Sequence, residues 1–170
     1  MEGPDPGRER SGAWDFDRVY ALAAPRLRSY CRLLAGTESE AQDLFQEAWS
    51  RALASRPGFG EGLSPGAWLA SIARNLWIDR CRRRRAERRA LGEAARSGRA
   101  EAEPSPEEGV LLREALQSLG EEEREAVSLY HLQGLSLREA AGVLGVTTWA
   151  LRERLARARE GLARHWGIRG

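Results

Sequence analysis

The chain has 170 residues, of which 42% are hydrophobic and 31% charged, a balance typical of globular proteins that work in water. No apolar run approaches the roughly 18 residues that a transmembrane helix needs, and the polar N-terminus lacks the apolar core of a signal peptide. These features argue against membrane insertion and export and predict a cytoplasmic protein. Cys31 and Cys81 are too few and too isolated to indicate a disulfide framework or a zinc site.

The net charge of +2 hides three charged blocks, and all 27 basic residues are arginine. Residues 74–89 hold eight arginines against two acids, a net charge of +6. Residues 100–125 hold two arginines against nine acids, a net charge of −7, and residues 146–170 hold six arginines against two acids, a net charge of +4. Two basic blocks separated by an acidic one indicate two contacts with a long polyanion. Solvated helix faces are the alternative explanation.

Apolar residues recur at helical spacing along the chain, and Val, Ile and Thr are sparse, which predicts an all-α fold. The predicted helices cover residues 15–35, 38–55, 65–90, 106–118, 121–133, 137–144 and 148–164. Their starts are marked by capping signals at Thr37 with Glu40, Ser64 with Pro65, Ser105 with Pro106 and Glu108, and Ser136 with Glu139. Glycines that favour a left-handed C-terminal residue mark three stops, at Gly36, Gly134 and Gly145.

The pattern divides the chain into two small helical domains joined by a flexible linker. Residues 91–105 are rich in Ala, Glu, Gly, Arg and Ser without an apolar stripe, which is typical of a linker. We therefore predict a disordered tail at 1–13, a first domain at 14–90 and a second domain at 106–170. Three glycines predict a loop at 57–62.

The segment 136–162 has the layout of a helix-turn-helix. Its first helix begins with the capping box at Ser136 and ends at Gly145, which permits a tight turn, and Val146 fits between the two helices. The second helix carries an apolar stripe of Leu151, Leu155, Ala158 and Leu162. This arrangement is typical of a DNA-binding unit whose second helix enters the major groove.

The face opposite the apolar stripe suits the reading of base edges. It presents Trp149, Glu153, Ala156 and Arg157, flanked by Arg152. An arginine there can bond guanine O6 and N7, Glu153 can accept from a cytosine amino group, and Ala156 leaves room for a thymine methyl group. Arg154, Arg159 and Arg164 lie toward the flanks and suit phosphate contacts. A plain helical hairpin with an arginine-rich surface is the alternative.

The helix predicted at 65–90 begins apolar and ends in a run of arginines from Arg80 to Arg89. Arg74, Asn75, Trp77 and Asp79 are interleaved with its apolar positions. Aromatic and arginine side chains close together suit unpaired bases, which need stacking surfaces as well as charge. Core packing is the alternative for Trp68 and Trp77, and a solvated or nonspecific phosphate-binding surface is the alternative for the arginine run.

Three segments together resemble the extracytoplasmic-function sigma factors of the sigma-70 family. Residues 43–49, with the sequence DLFQEAW, are similar to the family's polymerase-binding helix. Residues 68–80 followed by the arginine run are similar to its promoter-melting helix. Residues 134–146 and 151–159 are similar to its C-terminal DNA-binding domain. The resemblance covers about residues 15–90 and 106–164, with the motifs in the family's order and spacing.

The resemblance implies a non-enzymatic subunit that directs RNA polymerase to promoters. It places Asp43, Gln46 and Glu47 against the clamp helices of the largest polymerase subunit, and it makes the polymerase flap a further contact. It places near the minus-10 element Arg74, Asn75, Trp77, Asp79, Arg80, Arg83 and Arg84. It assigns the reading of the minus-35 element to Trp149, Arg152, Glu153, Ala156 and Arg157. The loop at 56–63 is implied to hold an extruded base, the linker to run through the polymerase channel, and an anti-sigma factor to be a partner.

The chain departs from the family pattern at four places. Gly120 stands where proline is usual, so a looser start is expected for the helix at 121. Trp149-Ala150 stands where a Gly-Thr pair commonly opens the recognition helix, so Thr147 or Thr148 must supply its N-cap. Glu153 replaces what is often a small residue. The loop at 56–63 is unusually rich in glycine, so the family's minus-10 preference is not transferred to this chain.

Two other classes of function remain as alternatives on the residues alone. A stand-alone regulator would bind duplex DNA through 136–162, but it would need neither the acidic cluster at 43–47 nor the arginine run. A nuclease or recombinase would need convergent carboxylates or a nucleophile with a base. His131 and His165 are isolated, and His131 is expected on a helix surface. No cofactor, metal site or small-molecule substrate is predicted.

Overall fold

The computed structural model describes residues 16–55, 64–91 and 110–167, and for residues 16, 17, 110, 111 and 113 it describes the backbone alone. Throughout these ranges the regular structure is helical, which confirms the predicted all-α fold. The helices are α1 (Phe16–Leu34), α2 (Glu38–Ser55), α3 (Pro65–Ala90), α4 (Val110–Gln117), α5 (Glu121–Val127), α6 (Leu137–Leu144) and α7 (Thr148–His165). The predicted tail, the loop at 56–63, the linker from 92 onward and the helix start at Ser105 lie outside the described residues.

Local capping fixes most of the helix starts. The Ser64 hydroxyl accepts from the Ala67 N–H at 3.3 Å at the start of α3. Ser136 and Glu139 form the predicted capping box of α6. Thr147, rather than Thr148, caps α7, and its hydroxyl accepts from the Ala150 N–H at 3.1 Å. Gly120 precedes α5 without a side-chain cap, which fits the looser start expected there.

A helix ends just before each of the three predicted glycine stops, and two of these glycines have the expected left-handed backbone. Gly134 and Gly145 adopt left-handed backbone with φ of 68°, whereas Gly36 does not. The Gly36 N–H instead donates to the Glu40 carboxylate at 3.2 Å. The Glu40 carboxylate thus accepts from the N–H group that a left-handed C-terminal turn would direct back to α1.

Helices α1 to α3 form an N-terminal bundle around large apolar side chains. Leu27, Tyr30, Leu44, Leu69 and Leu76 are almost completely buried within it. Trp68 and Trp77 are partly buried and pack against this core. The core-packing interpretation of both tryptophans is therefore correct, and any contact of Trp77 with a base uses only its exposed edge.

Helices α4 to α7 form the C-terminal region, in which a buried arginine organises the first turn. The Arg124 side chain is 7% exposed and donates to the carbonyls of Leu116 at 2.6 Å and Leu119 at 2.7 Å. It thereby satisfies carbonyl groups at the C-terminal end of α4 that lack intrahelical partners. A Cβ atom at Gly161 would lie 2.7 Å from the Leu119 side chain, so glycine is required for the close approach of α7 to this turn.

The helix predicted over 121–133 does not remain regular. After α5 the chain widens into a π turn, Ser128–Leu132, which leads to Gln133. The Gln133 side-chain amide donates to the Arg26 carbonyl at 2.6 Å, and Arg26 donates to the Gln133 carbonyl at 3.3 Å. These two hydrogen bonds hold the end of the π turn against α1.

The two predicted domains pack against each other. Ala126, Leu129, Leu135, Ala140 and Leu151 of the C-terminal region belong to the same buried cluster as the core of the N-terminal bundle. Helix α6 packs against α3, and its Ala140 and Ala141 are buried in this cluster. The sequence predicted two tethered domains and gave no indication of this shared core. The domain boundaries themselves stay a prediction, since the segment that joins the two regions lies outside the described residues.

Among the described helices, none is both long enough and apolar enough to cross a membrane.

Glu139 joins the two regions and provides a test of this packing. Its carboxylate accepts from the Ser64 N–H at 3.2 Å and from the Ser136 N–H at 2.9 Å. Hydrogen bonds from Ser64 and then from Ser136 outweigh burial and lower the pKa of Glu139 from 4.5 to about 2. A depressed folded-state pKa means that the carboxylate stabilises the fold above about pH 4.5 and that this contribution is lost as pH falls toward 2.

We expect Glu139→Gln to lower the free energy of unfolding by about 1 kcal/mol at pH 7, the usual scale for a lost helix cap. The loss should shrink as pH falls from 4.5 toward 2, because over this range the carboxylate takes up a proton in the unfolded chain but stays ionised in the folded chain until about pH 2. Urea unfolding followed by circular dichroism at pH 7 and pH 3 measures both values, with Glu160→Gln on the exposed side of α7 as control. A loss that is independent of pH would contradict the proposed role of the charge.

Candidate nucleic-acid interface

The second half of α3 projects arginines from the N-terminal bundle. Arg82, Arg83 and Arg85 are exposed, and so is Asn75 nearer the middle of the helix. The Arg84 guanidinium lies 5.7 Å from the centroid of the Trp77 ring, within the range of a cation–π contact. This surface offers several cations and one aromatic edge, the combination expected for unpaired bases and their phosphates.

Two of the α3 arginines are held by acids of α2. Arg80 forms a salt bridge of 2.6 Å with Glu47, and Arg84 forms one with Glu40. The hydrogen bond from Arg80 lowers the pKa of Glu47 despite partial burial. The residues predicted for the minus-10 element and those predicted for polymerase are thus in direct contact. The sequence predicted separate partners for Glu47 and Arg80 and gave no sign that they pair with each other.

The predicted polymerase-binding cluster lies on the outer face of α2. Leu44, Phe45 and Trp49 are buried in the bundle, while Asp43 and Gln46 on the opposite face are exposed. Glu47 is half-buried and is shared between Arg80 and, at 3.3 Å, Arg51. Asp43 and Gln46 are therefore accessible on the outer face of α2, and Glu47 lies at the border of that face.

Arg74, predicted for the minus-10 element, is engaged by the C-terminal region. Its guanidinium Nε donates to Glu125 Oε1 at 2.8 Å, and the Tyr30 hydroxyl donates to the same oxygen at 3.0 Å. Burial, and then the charge and hydrogen bond of Glu125, raise the pKa of Tyr30 well above its usual value. Asp79, which was also predicted for the minus-10 element, lies 3.8 Å from Arg82 on the next turn of α3.

The recognition helix α7 presents the predicted face to the outside. Leu151 and Ala158 are buried, whereas Arg152 and Glu153 are exposed and Ala156 is partly exposed. Trp149 in the first turn has 69% of its surface exposed. Periodicity alone therefore placed these side chains on the correct side of the helix, although whether they read DNA bases stays a prediction.

The inner edge of α7 is bound to α5 by ion pairs that sequence analysis missed. Arg157 Nε lies 2.8 Å from Glu123, and Arg154 lies 3.0 Å from Glu122. The hydrogen bond from Arg157 lowers the pKa of Glu123, and the same bond raises the pKa of Arg157. The acidic block at residues 100–125 indicated that some of its carboxylates would pair with arginines, but a single sequence does not show which arginines these are.

The opposite edge of α7 borders an open groove of about 800 Å³. Its walls include Val127, Tyr130 and Leu137 on one side and Arg152, Ala156 and Arg159 on the other. The groove combines apolar and cationic groups along the flank of the recognition helix. Arg152 and Arg159, predicted for base and phosphate contacts respectively, thus extend from the same concave wall.

The remaining reactive side chains are spread apart. Within the described ranges, no three His, Cys, Asp or Glu side chains converge in a way that could hold a metal ion. Burial raises the pKa of Cys31 to about 12, which keeps this thiol protonated, while Cys81 is exposed on α3. His131 is exposed on the π turn, as predicted.

Both halves of the chain match conserved regions of known proteins. Residues 19–87 match Sigma-70 region 2, and residues 109–162 match Sigma-70, region 4. The chain is 35% identical over 143 residues to the ECF RNA polymerase sigma factor EcfG of Rhodopseudomonas palustris, which covers 83% of this chain and 79% of EcfG. It is 38% identical over 154 residues to SigE of Mycolicibacterium smegmatis, which covers 86% of this chain and 56% of SigE.

A solved structure has the same arrangement of helices. It is the sigma factor RpoE from Bartonella quintana in complex with the anti-sigma factor NepR, with a TM-score of 0.75 and 28% sequence identity, over 92% of this chain and 99% of that one. The two region matches, the identities and the shared fold confirm the resemblance seen in the sequence. The chain belongs to the extracytoplasmic-function sigma factors of the sigma-70 family, the non-enzymatic subunits that direct RNA polymerase to promoters.

Proposed function

We propose that this sigma factor binds polymerase and the two promoter elements through three separate surfaces. Asp43, Gln46 and Glu47 on α2 bind core polymerase at the clamp helices of the largest subunit. The basic side of α3 binds and separates the minus-10 element. The outer face of α7 reads the minus-35 element in the major groove.

The observation that carries this proposal is the presence of two exposed arginine-bearing helices on different regions of one chain. A stand-alone regulator needs the exposed face of α7, but not the exposed run of α3 at Arg82, Arg83 and Arg85. It also does not need a helix whose outer face carries Asp43 and Gln46. Such an acidic and amide surface is complementary to a basic partner.

The minus-10 contacts follow from what α3 exposes. Asn75 and Arg83 are exposed and can reach bases or phosphates directly. Arg80 and Arg84 pair with Glu47 and Glu40, so their contribution to a DNA contact requires exchange of a carboxylate for a phosphate. Trp77 with Arg84 offers a stacking edge for a separated base. The loop at 56–63, which we expect to hold an extruded base, lies outside the described residues.

The minus-35 contacts follow from the outer face of α7. Arg152 and Glu153 are exposed where base edges would lie, and Ala156 leaves space between them. Arg157 is held at its Nε by Glu123, which fixes its direction at the edge of the reading face. Trp149 is large and exposed at the first turn, where it can contact a thymine methyl group or the sugar-phosphate backbone.

We also propose an anti-sigma factor as a partner and the cytoplasm as the site of action. One similar solved structure is the sigma factor RpoE in complex with the anti-sigma factor NepR, and a second is CnrH in complex with the cytosolic domain of CnrY. The second has a TM-score of 0.64 and 26% identity. Polymerase and chromosomal DNA lie in the cytoplasm, where a promoter-specificity subunit must act.

The decisive experiment is transcription in a purified system. The chain is added to core polymerase with DNA fragments that together cover its own genome. We expect discrete transcripts that core polymerase alone does not make. If the chain bound duplex DNA but produced no initiation on any fragment, the stand-alone regulator would be the better interpretation.

Asp43→Arg should weaken binding to core polymerase at least tenfold, because it places a cation on a surface that complements a basic partner. Binding of the same variant to duplex DNA through the C-terminal region should stay unchanged. Fluorescence anisotropy with labelled protein measures both affinities. Glu114→Arg, an identical change of charge at an exposed position of α4, is the control, and equal losses in both variants would contradict the assignment of the α2 surface.

Arg152→Ala and Arg159→Ala should affect duplex binding in different ways. Loss of a base contact at Arg152 should reduce discrimination at one base position by about 1–3 kcal/mol, whereas loss of a phosphate contact at Arg159 should weaken all sequences alike and reduce the salt dependence. Selection from a randomised minus-35 library, followed by titration at two salt concentrations, measures both effects. The same loss of specificity in the two variants would show that the faces of α7 are assigned wrongly.

A further inference from the structure

The ion pair between α5 and α7 holds Arg157 at one nitrogen of its guanidinium group. Arg157 Nε–H donates to Glu123 Oε1 at 2.8 Å, whereas Arg157 Nη2 lies 4.0 Å from Glu122 Oε2, beyond hydrogen-bond distance. The Arg157 side chain is 51% exposed and that of Glu123 is 19% exposed. The pair therefore fixes the Nε side of the guanidinium group and leaves much of the Arg157 side chain accessible to a ligand.

The bond to Glu123 decides how Arg157 can approach a base. A guanidinium group offers one pair of donors from Nε with a terminal nitrogen and another pair from the two terminal nitrogens. Because Glu123 occupies Nε, the pair left for a base is the one formed by Nη1 and Nη2. Two parallel donors of this kind match O6 and N7 of guanine in the major groove.

Glu153 on α7 is a competing carboxylate for Arg157. It lies four residues before Arg157, the spacing at which a glutamate and an arginine on one helix attract each other, and both residues are exposed. Pairing along α7 would turn the two side chains toward each other and away from base edges. In the structure Arg157 Nε–H donates to Glu123 on α5, and this bond directs Arg157 away from Glu153.

The absence of a side chain at Gly120 leaves room for the Glu123 carboxylate. A Cβ atom at Gly120 would overlap Glu123 Oε2 and would lie 3.4 Å from Glu123 Cδ. Any residue with a Cβ atom would therefore push this carboxylate aside, and that includes the proline that is usual here in the family pattern. The bond between Glu123 and Arg157 thus depends on one of the positions at which this chain departs from the pattern.

We propose that Glu123 is a positioning residue for the minus-35 contact, which holds Arg157 by Nε so that its two terminal nitrogens meet one guanine. Gly120 provides the space that the Glu123 carboxylate needs. This inference rests on the proposed role of α7. Glu123 orders a long side chain before DNA arrives, so a matching base does not have to order it on binding. A mismatched base gains nothing from this order, and the effect is therefore on discrimination between bases.

Glu123→Ala should reduce the preference for guanine at one base position by roughly twofold to tenfold, the range expected when binding must order a long side chain. Binding to an unrelated duplex should not fall, because the change removes a negative charge near the phosphates. A purely structural role of Glu123 would instead weaken binding to every duplex alike. Titration of the full-length chain with duplexes that differ only at that base pair measures the preference, and loss of discrimination in Arg157→Ala identifies the position.

Gly120→Ala tests the space for the carboxylate. Its Cβ atom should displace the Glu123 carboxylate and reduce the same preference for guanine, although Glu123 itself is still present. The double variant should lose no more than Glu123→Ala does, since both changes act through one carboxylate. Gly142→Ala on α6 is the matched control, because a Cβ atom there would have no atom of the described residues within 4 Å. It should leave the preference unchanged.

Glu122→Ala separates the bond to Arg157 from the charge of α5. It removes the same charge from the neighbouring position, but Glu122 binds Arg154 at 3.0 Å, so the preference for guanine should be preserved. Hydrogen exchange of Arg157 Nε–H, followed by NMR in the free chain, measures the bond itself. Exchange should be faster than in the parent for Glu123→Ala and Gly120→Ala and unchanged for Glu122→Ala. Thermal unfolding verifies that each variant remains folded.

An unchanged preference for guanine in Glu123→Ala would overturn the proposal, because Arg157 would then read its base without being held. An equal loss of preference in Glu122→Ala would overturn it as well. If Arg157→Ala leaves every base preference intact, the inference fails, but the proposed function stands as long as Arg152→Ala removes a preference. Intact preferences in both of these arginine variants would contradict the proposed role of α7 itself.

Discussion

The packing of the π turn and α6 against α1 and α3 is the constraint on which the rest of the structure depends. Ala140 and Ala141 are buried in the cluster that the two regions share, and Gly66 at the start of α3 faces the Leu135 side chain. Apolar packing keeps water out of the contact between the two regions. Polar and charged groups at the edge of this contact are therefore screened less than groups in open solvent. Glu125 and Glu139 occupy this edge, so their bonds across the two regions owe their strength to the apolar packing between them.

An arginine-only set of cations suits such an edge. Guanidinium groups offer planar, forked donors that can bond a carboxylate and then a phosphate with little change of geometry. The described arginines lie in three kinds of environment. Arg124 is buried and organises a turn, Arg74 and Arg80 are bound to acids from other helices, and Arg82 and Arg83 project outward. The environment of each arginine depends on which acids the neighbouring helices place beside it, since the arginine side chains themselves are chemically identical.

The parts of this molecule that were predictable from sequence are those fixed by local interactions. The limits of α1, α2, α3, α6 and α7, the capping box at Ser136 and the outward face of α7 depend on residues within one or two turns, and these were predicted correctly. The π turn was not, because its wider geometry accompanies the bonds between Gln133 and Arg26, 107 residues apart. The pairs of Arg74 with Glu125 and Arg157 with Glu123 were missed for the same reason, since periodicity shows which face a residue occupies but does not identify the opposing helix.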